Sequence, residues 1–195
     1  DLVIVGGGYL GLTTALQAAG NGAGVVLLET GTVGAGASGR NGGFVVPHFP
    51  GALRPSQVER RLGPRKGAAL NQLVAEGPDR VAALVRAHGI ASDCRQHGWI
   101  QPGHSAAALA RVRDSYEDWK AFGAPVEWLD ADAVQAELGA AGYRGGWRNP
   151  TGAVLNPYAQ VLGLAQGMSG RPGMTARLTI QSRSPSPLRR SRRAS

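Results

Sequence analysis

The sequence holds a single cysteine, Cys94, so no disulfide can close within the chain. That fits a reducing compartment, and Cys94 reads as a small buried hydrophobe. No basic residue precedes Arg40, so the apolar N-terminus lacks the charged region of a secretory signal. There is no long unbroken apolar run: residues 2–20 are interrupted by Gly6, Gly7 and Gly8, which argues against a membrane span. A cytoplasmic location is the expectation. His97 and His104 have no carboxylate or cysteine partners at ligand spacing, so no metal site is expected. Acidic residues are missing from Arg171 to Ser195, where seven of the 21 basic residues lie; elsewhere fourteen basic residues face thirteen acidic ones. The formal charge of +8 therefore belongs to the tail, and the rest of the chain is near neutral.

Glycine, by contrast, is abundant, and thirteen of the 30 glycines lie in the first 43 residues. Leu2 to Val5 is a continuous apolar run, as a buried parallel strand requires. Gly6, Gly8 and Gly11 follow as G-x-G-x-x-G, and Leu10, Thr14, Ala15 and Ala18 then repeat at helical spacing. In a dinucleotide-binding βαβ unit the first glycine permits the turn and the second admits a pyrophosphate to the backbone. The third lets helix and strand pack closely, and the helix N-terminus faces the phosphates. A second predicted strand, Val25 to Leu28, ends at Glu29, 23 residues after Gly6, where an acidic side chain should meet a ribose hydroxyl. A second glycine-rich segment, Gly34 to Gly43, comes soon after. A nicotinamide-binding unit has no evident need for it, whereas a longer, bent dinucleotide such as FAD could use one, since backbone must approach it at a second point.

At these residues the chain resembles a known family. GGGYLGL, Glu29 and GASGRNGG together look like the N-terminus of FAD-dependent oxidoreductases of the D-amino-acid-oxidase type, closest to the glycine, sarcosine and γ-glutamylputrescine oxidase branch. The segment GGWRNPTGAVLNPYAQVLGLA extends the likeness to about Leu164. The resemblance implies FAD as cofactor, a small amine or amino acid as substrate, and hydride transfer from the carbon bearing nitrogen to the flavin. Gly6, Gly8 and Gly11 would hold the pyrophosphate and Glu29 the adenosine ribose. Ser38, Arg40, Asn41, Gly42 and Gly43 would line the flavin side. His48 stands where a side chain could face the flavin ring. No catalytic acid or base is identified, and the cysteine that carries flavin covalently in some relatives has no match in Cys94.

The fold expectation is α/β: a Rossmann-type FAD-binding βαβ unit carrying an inserted α+β portion of a substrate domain, incomplete at the C-terminus. Residues 1–50 and 156–181 read as the FAD-binding domain, 51–155 as the insertion, and 182–195 as a disordered basic tail with too little apolar content to offset ordering entropy. Within the insertion, Ser56 is the expected N-cap of a helix that breaks near Gly63-Pro64, and Cys94 to Gln101 is an expected strand. Ser105 to Phe122 reads as a helix with Leu109, Val112, Tyr116 and Trp119 on one apolar face. Asp130 is the expected cap of a helix over Ala131 to Leu138, and Trp147 to Leu155 is an expected hairpin. Pro157 would open a last helix that buries Tyr158, Val161, Leu162 and Ala165, and Arg177 to Gln181 is a further expected strand. The start at Asp rather than Met suggests a longer reading frame, and the tail suggests an abnormal end near residues 167–183, hence a truncated, inactive copy as one expectation. Two alternatives stay open: an NAD(P)-dependent Rossmann dehydrogenase using the same glycines and Glu29, and RNA binding through the Arg/Ser tail. The second is disfavoured because no aromatics stand among the arginines. The sequence leaves oligomeric state open.

Overall fold

The computed structural model describes residues 1–169 and 176–180. In chain order it begins β1 (Leu2–Val5), α1 (Tyr9–Gly20), β2 (Val25–Glu29), a 3₁₀ turn (Ala37–Gly39) and β3 (Phe44–Val45). Next come α2 (Pro55–Leu62), α3 (Pro64–Ala75), α4 (Gly77–Ala87), β4 (Trp99–Pro102) and α5 (Ala106–Phe122). The remainder is β5 (Glu127–Leu129), α6 (Ala131–Leu138), β6 (Gly146–Asn149), β7 (Ala153–Val154), α7 (Pro157–Ser169) and β8 (Ala176–Ile180). The chain divides into two compact units, one made of Asp1–Asn41 with the chain from Pro157 onward, the other of Gly42–Asn156.

The first unit is a parallel sheet in the order β1-β2-β8. Helices α1 and α7 pack on each other and on this sheet. Val25 and Leu27 of β2 are fully buried, as are Leu12 and Ala15 of α1 and Val161 of α7. The side chain of Ile4 points at Gly11 of α1, which fixes the covered face as that of Ile4, Val25 and Leu27. The expected burial of β1 does not hold throughout. Val3 is 62% and Val5 79% exposed, because β1 is an edge strand and these two residues stand on the other face. The helical face of α1 is also shifted: Leu10 is 82% exposed, while Leu12, Ala15, Leu16 and Ala19 are the buried set. In α7 the buried apolar residues are Val161, as expected, with Leu164 and Met168, whereas Tyr158 and Leu162 are exposed, contrary to the expected face.

The second unit has its own core. Trp119 and Trp147 are each 1% exposed, with Tyr116, Val112, Val58 and Phe49 buried beside them. Phe49 stacks on Trp119 at 5.8 Å between ring centroids, and Phe122 meets Trp119 edge-on at 5.9 Å. An antiparallel sheet in the order β4-β6-β5 contributes Trp99, Trp128 and Trp147 to this region. Trp147 to Leu155 is not a hairpin: β6 pairs with β4 and β5, and β7 pairs with β3. Only Trp99 onward is strand in the Cys94 to Gln101 stretch, with Arg95 making an isolated bridge to Val154.

Local signals set most helix ends here. Ser105 Oγ accepts from Ala108 N–H at 3.2 Å to cap α5, and Asp130 Oδ1 accepts from Ala133 N–H at 2.8 Å to cap α6. Ser56 is not an N-cap. Pro55 is the first residue of α2, so the cap falls on Arg54, whose N–H donates to Gln57 Oε1 at 3.1 Å. Ser56 instead donates from its backbone N–H and its hydroxyl to the carboxylate of Asp118, at 2.9 and 2.5 Å. The strand expected over Arg177 to Gln181 is described as β8 through Ile180; Gln181 and the expected basic tail lie outside the described residues.

Candidate functional site

The turn between β1 and α1 is where the sequence motif comes together. Gly6 has φ +108°, a conformation that a residue with a side chain rarely adopts, and its N–H donates to Leu28 O at 2.8 Å. A Cβ on Gly11 would overlap the carbonyl of Gly6, so only glycine lets α1 start this close to the strand end. Gly8 is the N-cap of α1 and offers no side chain to cap it; the first turn carries no acidic residue. The positive end of a twelve-residue helix thus begins at a glycine turn whose own N-cap residue contributes no capping side chain.

Glu29 stands at the end of β2, beside that turn. Its Oε2 accepts from Gly7 N–H at 2.6 Å, and its Oε1 accepts from Gly31 N–H at 2.9 Å. The Gly7 N–H bond, then that from Gly31, holds the carboxyl below the usual carboxylate range, so it is ionised at neutral pH. A β-carbon on Gly7 would lie 3.1 Å from Glu29 Oε2, so glycine is also what admits the carboxylate.

The second glycine-rich segment returns to the first. Gly34 N–H donates to Gly7 O at 3.3 Å, and Tyr9 N–H donates to Ser38 Oγ at 3.1 Å. Asn41 Nδ2 donates to the carbonyls of Ala37 and Ser38, at 3.1 and 3.0 Å, and so closes the 3₁₀ turn on itself. Part of this glycine content serves packing: a Cβ on Gly39 would overlap Gly34 O and press on the Tyr158 ring of α7. Arg40 is exposed.

Six of the sequence-predicted residues, Gly6, Gly8, Gly11, Glu29, Ser38 and Asn41, therefore meet around one turn in the first unit, and Arg40 follows on its exposed rim. Gly42 and Gly43 belong to the second unit, where Gly43, with φ +72°, accepts from Leu155 N–H at 2.9 Å. His48 is also in that unit. Its ring centroid lies 4.0 Å from that of Trp99, and its Nδ1 is 2.9 Å from Phe49 O. Burial pushes its pKa down, so the imidazole is neutral near pH 7.

Tyr9 is the residue that sequence reasoning missed. Its hydroxyl donates to Pro157 O at 3.1 Å and is hydrogen-bonded by the Asn41 side chain, so one residue ties the glycine turn to the start of α7. Its place at an unspecified position of the glycine motif gave no signal; only the partner 148 positions away shows the role. Among the described residues no cluster of His, Cys, Asp or Glu could hold a metal ion, and no helix is long and apolar enough to cross a membrane.

The chain is similar to known proteins over most of its length. Residues 1–174 match the model of a family described as FAD dependent oxidoreductase. The chain is 31% identical over 169 residues to gamma-glutamylputrescine oxidoreductase of Escherichia coli K12, covering 86% of this chain and 39% of that protein. It is 29% identical over 170 residues to the probable oxidoreductase OrdL of Rhizobium meliloti, again over 39% of the relative. The chain thus spans about two-fifths of the length of these relatives. Its fold is similar to that of glycine oxidase from Geobacillus kaustophilus, with a TM-score of 0.77 at 21% identity over 93% of this chain and 46% of the other.

Proposed function

The chain belongs to the family of FAD-dependent oxidoreductases, and on that premise we propose that its first unit binds the ADP part of FAD in the service of C–N bond oxidation in an amine or amino acid. The nicotinamide alternative, which used the same glycines, gives way to that membership. The observation that carries the reading is the ionised Glu29 carboxylate held beside the glycine turn that opens α1. The residues fit the group. Backbone N–H groups at the start of α1 would face a pyrophosphate, with glycine at positions 6, 8 and 11 of the turn. Glu29 would accept from ribose hydroxyls, and Ser38 would exchange its bond with Tyr9 N–H for one to the dinucleotide. Arg40, Asn41, Gly42 and Gly43 would border the flavin side.

Bound FAD would supply the hydride acceptor, and the protein's part is binding, orientation and electrostatics. Residues 1–50 and 156–181 would form the FAD-binding domain and 51–155 the start of a substrate domain, a division supported by compact units that change over at Asn41 and Pro157. The small amine or amino-acid substrate is supported by the names of gamma-glutamylputrescine oxidoreductase and glycine oxidase among the similar proteins. A cytoplasmic location belongs to the same reading, supported by the lone cysteine. The test is the visible spectrum of the purified full chain refolded with FAD and passed through gel filtration. Flavin bands that co-elute with the protein, and that the Gly11→Ala variant loses, are the expected result. A colourless protein with native far-UV circular dichroism would reject FAD binding by this chain.

A further inference from the structure

Within the second unit, α2 and α3 form a tight helical hairpin. Asn71 of α3 donates from Nδ2 to Pro55 O at 3.2 Å and to Glu59 Oε1 at 3.1 Å. A Cβ on Gly67 would overlap the backbone of Glu59. The helices therefore run antiparallel, and residues 60–66 make the tip. Arg60, Arg61, Leu62, Pro64, Arg65 and Lys66 are all exposed there. Among the described residues none of these four cations stands in an ion pair; Arg60 reaches only Ser56 Oγ, at 3.4 Å. Glu59, the neighbouring acid, is half-buried and takes the Asn71 bond.

Helix electrostatics accounts for two of the four charges. Arg60 and Arg61 lie in the last turn of α2, where cations offset the helix dipole. Arg65 and Lys66 lie in the first turn of α3, where the same dipole opposes them and no acidic residue compensates. The fold gains nothing from that placement, which suits an anion outside the chain. Apolar side chains accompany the charges. Leu62 follows the buried Val58 by four positions, and at the tip it is 47% exposed. On α3, Lys66, Ala69 and Leu73 share one face at i, i+3 and i+7; Ala69 is exposed and Leu73 is 54% exposed.

We propose that this hairpin tip docks the chain peripherally on an anionic lipid bilayer. Arg60, Arg61, Arg65 and Lys66 meet headgroup phosphates and carboxylates, and Leu62 enters the interfacial layer between them. Leucine among cations on a helical surface is the pattern that binds a membrane interface, and each cation adds attraction to an anionic leaflet. Nucleic acid fits less well, because neither helix carries an aromatic side chain on which a base could stack.

The proposal is independent of FAD binding, and its test reads membrane association alone. In every sample Arg183, Arg189, Arg190, Arg192 and Arg193 are changed to Gln, so that the basic tail does not mask the hairpin. The full-length chain is floated with phosphatidylcholine vesicles and, in parallel, with vesicles of phosphatidylcholine and phosphatidylserine. The expected result is flotation with the mixed vesicles alone, lost at high salt, with slowed amide exchange at residues 60–66. Arg65→Glu with Lys66→Glu should cut the bound fraction at least about tenfold, and Leu62→Ser about threefold. Arg111→Glu with Arg144→Glu, the same change in charge at exposed positions elsewhere in the unit, should leave it intact. Circular dichroism of each variant confirms folding, and Leu62→Ser serves if the charge reversal on α3 fails to fold. The proposal is overturned if the mixed vesicles float no protein, or if the distant pair lowers flotation as much as the α3 pair, which would leave only net charge. It is equally overturned if an oligouridylate binds through Arg65 and Lys66 while the vesicles do not, which would assign the tip to nucleic acid.

Discussion

The two units bury their apolar residues by different means. In the second, helices and an antiparallel sheet enclose an aromatic core, and its two central tryptophans are each 1% exposed. In the first, α1 and α7 pack on a parallel sheet, and among the described residues a strand made entirely of Leu, Val and Ile has three residues exposed. An antiparallel sheet tolerates one wet face, whereas a parallel one is built to lose both. The contrast teaches that apolar content alone does not tell whether a segment completes its own core. Leu2–Val5 is as hydrophobic as any stretch of the chain, and it is the less buried.

That contrast can be broken at its strong side first. Trp119→Ala should cost about 3–5 kcal/mol, as large-to-small changes in a packed aromatic core do, and urea unfolding followed by fluorescence should show the loss in the second unit. An equal shift of exchange protection in β1 and β2 would mean that the units do not unfold separately. Next in size, Gly11→Ala should destabilise the first unit by about 1–3 kcal/mol through overpacking while the near-ultraviolet signature of the tryptophans stays unchanged. Exchange protection of α1 is the measurement.

Glu29→Gln should weaken FAD binding about tenfold, the loss of one hydrogen bond to a charged group, measured by fluorescence titration. Its pH behaviour has a defined sign. The folded carboxyl titrates below its ordinary value, so its stabilisation is full above the usual carboxylate range and is lost as pH falls through the depressed folded value. The Gln variant should lack that acid-linked loss. Smallest of all, Val3→Thr should change the stability of the isolated chain by less than about 0.5 kcal/mol, as for surface positions. A larger loss in thermal denaturation would mean that the exposed face is covered in solution.

What could be read from the sequence was what neighbouring residues decide among themselves. The glycine turn, the carboxylate at the end of β2, the break at Gly63 and the cap by Asp130 all depend on contacts within a few residues or on one βαβ unit, and each was legible. Ser56 misled because the proline before it takes the first helical position; Pro55 moves the cap of α2 back by two positions, from Ser56 to Arg54. Tyr158 and Leu162 misled because periodicity names an apolar stripe without naming the partner. The loop that α7 meets is backbone at Gly34 and Gly39, so Tyr158 packs there with one edge and stays 47% exposed. Trp147 to Leu155 read as a hairpin because Pro150 and Gly152 signal a turn, but strand partners came from β3, β4 and β5, distant in sequence. Among the candidate site residues, Gly6, Gly8, Gly11 and Glu29 could be inferred from motif spacing and Ser38 and Asn41 from the family resemblance, whereas Tyr9 could not.

The hydrogen bond from Leu155 to Gly43, beside the pairing of β7 with β3, has a consequence for the order of folding. The first unit is discontinuous, and the Tyr9 hydroxyl must find a carbonyl 148 positions away. Left to a flexible chain, that closure would carry a large entropic cost before any contact rewarded it. The inserted unit is contiguous, and once folded it holds its own two ends together, so the chain between α1 and α7 behaves as a short loop. A substitution that unpairs β3 from β7 should therefore slow formation of the glycine turn, although it touches none of the residues in that turn.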